Sequence, residues 1–138
     1  MKTTELNEVE FDEALAFYKQ QGYTGGIDPS DTTLVTRINK KIIGLVRISK
    51  EHKLEILRGM YIDLEFQRKG LGKKILALLE SHFTGVEAYC VPFSHLEGFY
   101  ATIGFEKIES KNAPAFLQER LEIYIAQGAS CIIMKRMA

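Results

Sequence analysis

The sequence predicts an α/β (α+β) fold, a mixed and mainly antiparallel sheet flanked by helices. Two observations carry this. Residues 33–62 hold three β-patterned runs joined by turns too short for a crossover, the pattern of an antiparallel meander. From residue 69 onward, helical and strand patterns alternate to the end of the chain. The 138 residues fit one domain, taken as 1–138, and a hydrophobic content of 46% supplies a sizeable core.

Taken in order, Asn7 to Gln21 reads as a helix. Asn7 and Glu10 have capping-box spacing, Phe11, Ala14, Leu15 and Tyr18 fall on one face, and Gly22 is the stop. Residues 25–31 read as a mobile loop. Thr33–Ile38 and Lys41–Ser49 are strands around a hairpin turn at Asn39 and Lys40. A turn at 51–53 leads to the strand Leu54–Ile62. A helix from about Lys69 to Phe83 sets Leu71, Ile75, Leu78, Leu79 and Phe83 on one stripe. Val86–Val91 is a strand between Gly85 and Pro92, and Ser94–Thr102 is a short helix stopped by Gly104. Phe105–Ile108 is a strand. Pro114–Gln127 is a helix with Pro114 in its first turn and an apolar face of Leu117, Leu121, Tyr124 and Ile125. Ala129–Lys135 is the last strand.

Bulk properties exclude some functions. Eighteen basic and eighteen acidic residues cancel, which argues against a general nucleic-acid binder. No apolar run approaches a membrane span, and residues 1–20 lack the apolar core of a secretory signal, so a soluble cytoplasmic protein is expected. Cys90 and Cys131 read as small hydrophobes rather than a disulfide. His52, His82 and His95 are scattered, so no metal is expected.

Leu54–Phe83 is the most informative stretch: a strand, a basic loop with two glycines, then an amphipathic helix. Gln67, Arg68, Lys69, Gly70, Leu71 and Gly72 sit where the helix begins. A helix N-terminus exposes unpaired N–H groups at the positive end of its dipole, so it can hold an anion. Gly70 and Gly72 remove side chains that would obstruct a phosphate, and Arg68, Lys69, Lys73 and Lys74 add positive charge. The P-loop pattern fails because Gln67 and Lys74 occupy its ends. The dinucleotide fingerprint fails because Ile75 stands where its last glycine belongs.

The run 67–72 resembles the acetyl-CoA loop of the GNAT N-acetyltransferase superfamily: Gln or Arg, two residues, Gly, one residue, then Gly or Ala. Met60 to Asp63 is similar to the end of that family's fourth strand, and Phe99 to Phe105 to its Phe-Tyr-x-x-x-Gly-Phe segment. The resemblance covers roughly residues 33–108 and implies a sheet whose central strands splay apart. It implies that Met60, Tyr61 and Ile62 pair with the pantetheine arm of acetyl-CoA, the acyl donor. Gln67, Arg68, Lys69, Gly70, Leu71, Gly72 and Lys73 would hold the diphosphate. Tyr100 would protonate the departing thiolate, and Phe99 and Phe105 would pack the core. Where relatives carry an Asn that binds pantetheine, Phe93 stands here, with Ser94 or His95 as substitutes. Glu55 lies near the position of a general base in some relatives, though strand alternation turns it to the other face unless a bulge intervenes; a water relay is the alternative.

Further candidates are weighed on their surroundings. Arg58 either lies exposed on the sheet or lines the acceptor pocket and binds a substrate carboxylate. Arg47 reads as exposed on a sheet face, His95 as an exposed helix-start residue, and Tyr89 and Tyr124 as core aromatics. The expected activity is transfer of an acetyl group from acetyl-CoA to a primary amine of a small or amino-acid-like molecule. The amine attacks directly, the strand amide near Ile62 polarises the carbonyl, and Tyr100 protonates the sulfur. The alternative is a non-catalytic acyl-CoA-binding sensor. No nucleic acid or membrane partner is expected, and homodimers are common in the family.

Overall fold

The computed structural model describes residues 1–136, so the last two residues of the expected 1–138 domain lie outside the described residues. One seven-stranded sheet organises them: β1 (Lys2–Glu5), β2 (Thr32–Ile38), β3 (Lys41–Glu51), β4 (Leu54–Ile62), β5 (Ala88–Cys90), β6 (Phe105–Ile108) and β7 (Ile133–Arg136). Their spatial order is β1-β2-β3-β4-β5-β7-β6. Every neighbouring pair is antiparallel except β4 and β5, which run parallel. The helices are α1 (Phe11–Gln20), α2 (Leu71–Glu80), α3 (Glu97–Ala101) and α4 (Ala115–Ala126).

The meander follows its turn residues. Asn39 and Lys40, then His52 and Lys53, all have positive φ, the left-handed pairs that match the twist of a two-residue hairpin. The strand β1 escaped the sequence pattern. It is a mostly exposed edge of Lys, Thr and Glu, with no apolar alternation to reveal it. In the 3-10 turn Glu8–Glu10 that leads into α1, Glu10 returns a carboxylate oxygen to the Asn7 amide at 3.1 Å, as the capping spacing predicts.

Three clusters fill the core. Leu57, Leu76, Leu79, Phe105 and Met134 pack beneath α2 and α3. Ala14, Phe17, Tyr18, Val35 and Leu45 pack beneath α1. Ile56, Tyr89, Leu117 and Ile133 pack beneath α4. Two predicted stripes need correction. In α2, Leu76 is buried and Leu78 is 49% exposed, so the sheet lies one position round from the expected face. In α4, Ile125 is 54% exposed and Leu117 anchors the helix. Helix α4 covers a cleft along part of its length, and a cleft wall does not demand an apolar stripe. Pro114 is the residue before the helix, not in its first turn. The loop expected to be mobile is tied down at its ends: Asp31 pairs with Arg47 at 3.1 Å, and the Tyr23 hydroxyl accepts from the same guanidinium.

Candidate active site

A single extra residue shapes the centre of the sheet. Leu45 faces Tyr61 and Arg47 faces Arg58, so one residue of β3 spans two of β4, Gly59 and Met60. This is a β-bulge, and Gly59 has φ +65 within it. The Tyr18 hydroxyl donates to the Gly59 carbonyl at 2.8 Å. Before the bulge, Leu57 points into the cluster under α2; after it, Met60 and Ile62 do, while Tyr61 turns towards α1.

The same stretch leaves one edge of β4 open. Strands β4 and β5 pair only at Glu55 with Ala88 and Ile56 with Tyr89. Beyond that they part, while β4 continues to Ile62. The Asp63 amide bonds the Ile43 carbonyl of β3 at 2.8 Å. Backbone groups alternate sides along a strand, so those of Met60 and Ile62 face away from β3, into the gap. The Ile62 carbonyl is met there by the Gln67 side-chain amide at 2.8 Å.

The gap opens into a cleft of about 550 Å3. Ile56 to Tyr61 and Cys90 to Phe93 form two sides, Tyr100 closes one end, and Arg120 and Tyr124 of α4, Gln127 just after it and the loop at 22–25 complete the wall. Among the described residues, its charged lining is Arg58 and Arg120, with no Asp, Glu or His. Tyr100 is 6% exposed. Burial pushes its pKa far above the ordinary tyrosine value, with Cys90 and Tyr61 adding to the effect, so the hydroxyl keeps its proton. Burial also raises Tyr61. Among the described residues, no three His, Cys, Asp or Glu side chains converge as a metal site requires.

The loop 67–73 lies outside this cleft, on the surface beyond the end of β4. Arg68 has φ +62 and Gly70 φ +77, and Gly70 is the N-cap of α2. No side chain caps the helix and its first turn holds no acid. The first helical bond is from the Lys74 amide to the Gly70 carbonyl at 3.4 Å, so the amides of the first turn remain available to an anion. Arg68, Lys69 and Lys73 are exposed, and Leu71 is half-buried. The two glycines differ in role. A Cβ on Gly70 would meet nothing within 4 Å, whereas one on Gly72 would lie 3.0 Å from Phe99 and 3.2 Å from Ile62. Gly72 therefore lets the helix close on the core; the expected clearance for a phosphate belongs to Gly70 alone.

The remaining candidates divide. Arg58 lines the cleft, as one reading of it expected. Glu55 does not. It is 2% exposed, and its carboxylate accepts the Thr84 amide at 2.9 Å. The bulge at Gly59 comes after Glu55 and so cannot re-aim it, which removes it as a base. Arg47 is buried rather than exposed. Burial opposes its charge, but Tyr23, Tyr18 and Asp31 outweigh this and hold its pKa above the usual value. Ser94 is taken by Ser130 at 2.9 Å and His95 stacks on Phe93; of the three, Phe93 lines the cleft. Tyr89 is a core residue, but Tyr124 lines the cleft. Sequence reasoning passed over Arg120 and Glu51. Arg120 bonds both carboxylate oxygens of Glu51, which also lies 3.5 Å from Arg58. Burial pushes Glu51 up, yet the bond and charge of Arg120 together with Arg58 bring it below the ordinary carboxylate value.

The acetyltransferase (GNAT) domain family matches residues 2–117. No curated protein sequence matches the chain. Solved structures match in fold at low identity. Escherichia coli ElaA has a TM-score of 0.70 at 14% identity, with 98% of each chain covered. An acetyltransferase of the GNAT family from Staphylococcus aureus has a TM-score of 0.68 at 15% identity, covering 98% of this chain and 97% of that one. N-acetylglutamate synthase from Neisseria gonorrhoeae, complexed with coenzyme A and N-acetyl-glutamate, has a TM-score of 0.68 at 13% identity. That match covers 98% of this chain but 34% of the synthase, so the chain spans about a third of that enzyme. The family match across most of the sequence, on a sheet that parts between β4 and β5, establishes that the chain belongs to the GNAT acetyltransferase family.

Proposed function

We propose that the chain is a single-domain N-acetyltransferase that moves the acetyl group of acetyl-CoA to a primary amine of a small molecule. The observation that carries this is the open edge of β4 facing the protonated Tyr100 across one cleft. The backbone groups of Met60 and the amide of Ile62, whose carbonyl Gln67 already holds, suit the amides of a pantetheine arm, with Tyr61 between them. The first-turn amides of α2, with Arg68, Lys69 and Lys73, suit a diphosphate; Gly70 leaves room for it and Gln67 steadies the strand end.

The residues divide the chemistry as follows. The amine nitrogen bonds to the acetyl carbon as the carbon–sulfur bond breaks. Met60 lines the cleft where Ile62 does not, and its strand amide is the group that polarises the carbonyl oxygen. Tyr100 gives its proton to the sulfur. With Glu55 turned away and no carboxylate or imidazole in the lining, water carries off the proton of the amine. Tyr100→Phe tests this. Thiol release should fall roughly a hundredfold, while the affinity for CoA measured by calorimetry changes little. An unaltered rate would remove Tyr100 as the acid.

A further inference from the structure

At the α4 side of the main cleft two guanidiniums, Arg58 and Arg120, share one carboxylate, Glu51. Across this face of the sheet, Arg47, Ser49 and Glu51 stand opposite Arg58, Ile56 and Leu54. Arg47 pairs with buried Asp31 at 3.1 Å and donates to Tyr23, and it lines the second cavity rather than the main cleft. Glu51 gives both oxygens to Arg120 and reaches Arg58 only at 3.5 Å. One carboxylate thus serves two guanidiniums, whose N–H donors far outnumber what it can accept. Asp28, the other acid nearby, accepts the Ser30 amide and hydroxyl at 2.8 and 2.7 Å. Arg58 lines both the main cleft and this second cavity, of about 380 Å3, beside it, and its side chain is 30% exposed.

We infer that the acceptor amine also carries an anionic group, a carboxylate or by the same chemistry a phosphate, which Arg58 and Arg120 bind at the α4 side of the cleft. This rests on the acetyltransferase reading and narrows its substrate class. Guanidiniums match the oxygens of carboxylates and phosphates by two-point hydrogen bonding. Arg120 is already oriented by Glu51 and by Phe116, whose ring centre lies 5.6 Å from its guanidinium carbon, so little ordering remains to oppose binding.

The test is a panel of L-amino acids, each beside its own amide, with O-phosphoethanolamine beside ethanolamine. Transfer is followed as thiol release from acetyl-CoA and as acetylated product by mass spectrometry. In at least one pair, kcat/KM should favour the anionic member about tenfold or more; the pair that does so separates carboxylate from phosphate. Arg58→Gln should cut that preference about tenfold, through KM. Arg58→Lys, which keeps the charge without the planar fork, should restore part of it. The preference is a ratio within one preparation, so partial unfolding does not mimic the effect. No preference for any anionic member, or a preference unmoved in Arg58→Gln, overturns the inference. Calorimetry with acetyl-CoA distinguishes the two failures. Binding with transfer to neutral amines alone sinks the anion site, whereas no binding sinks the acetyltransferase reading beneath it.

Discussion

Gly59 meets two demands that other residues cannot meet together. Its φ of +65 lies in the left-handed region, and a Cβ there would collide with the Tyr18 hydroxyl that holds its carbonyl. Gly59→Ala should therefore cost about 2–3 kcal/mol in chemical denaturation. It should also weaken CoA binding, because the bulge sets which β4 groups face the cleft. A loss below about 0.5 kcal/mol, the ordinary range of a surface change, would contradict this. Nearby, Asp31→Ala leaves the Arg47 charge buried and unpaired, and should cost about 3–5 kcal/mol; an unchanged denaturation midpoint would show the pair to be dispensable. At this scale the sequence was partly legible. Tyr100 and Arg58 reach the cleft by positions the motif and the strand pattern pointed to. Alternation turned Glu55 away from the cleft, as the structure has it; what alternation could not place was the bulge, whose one signal was the lone glycine after Arg58.

The strand–loop–helix unit of β4 and α2 was the most readable element, since an amphipathic helix behind glycines has few alternative interpretations. Its interior was less so. The sequence shows two glycines of equal standing, and only packing reveals that Phe99 and Ile62 occupy the space beside Gly72. The two variants should therefore separate. Gly72→Ala should lower stability by about 1–3 kcal/mol through overpacking. Gly70→Ala should cost about 1 kcal/mol through backbone strain. Equal losses in thermal melts would contradict the division. Helix α4 was correctly bounded to within a residue, but its face was misassigned. Arg120, Tyr124 and Gln127 look into a cleft, and hydrophobic periodicity cannot tell a cleft wall from solvent.

Across the whole molecule, the order of elements from β2 to β7 was legible, because each is bounded by a turn or a glycine. The edge strand β1 and the closeness of Glu51, Arg58 and Arg120 were not, since both arise from tertiary pairing between residues far apart in the chain. Global stability should also have an alkaline limit. Burial raises the pKa of Tyr18 and Tyr100 well above their ordinary 10.0. Unfolded tyrosines lose their protons first, so this stability is complete below about pH 10 and is lost as pH rises towards the raised values. Urea midpoints should fall from about pH 10 upward, and fall less in Tyr100→Phe; a flat alkaline profile would contradict the burial of both hydroxyls.

The most direct test of the central claim is thiol release from acetyl-CoA by the purified chain across a broad amine panel, with the products identified by mass spectrometry. The cleft geometry predicts release that depends on the amine and yields its N-acetyl derivative. CoA binding with no amine raising thiol release above the protein-free rate would contradict it, and would make the chain an acyl-CoA-binding module without transferase activity.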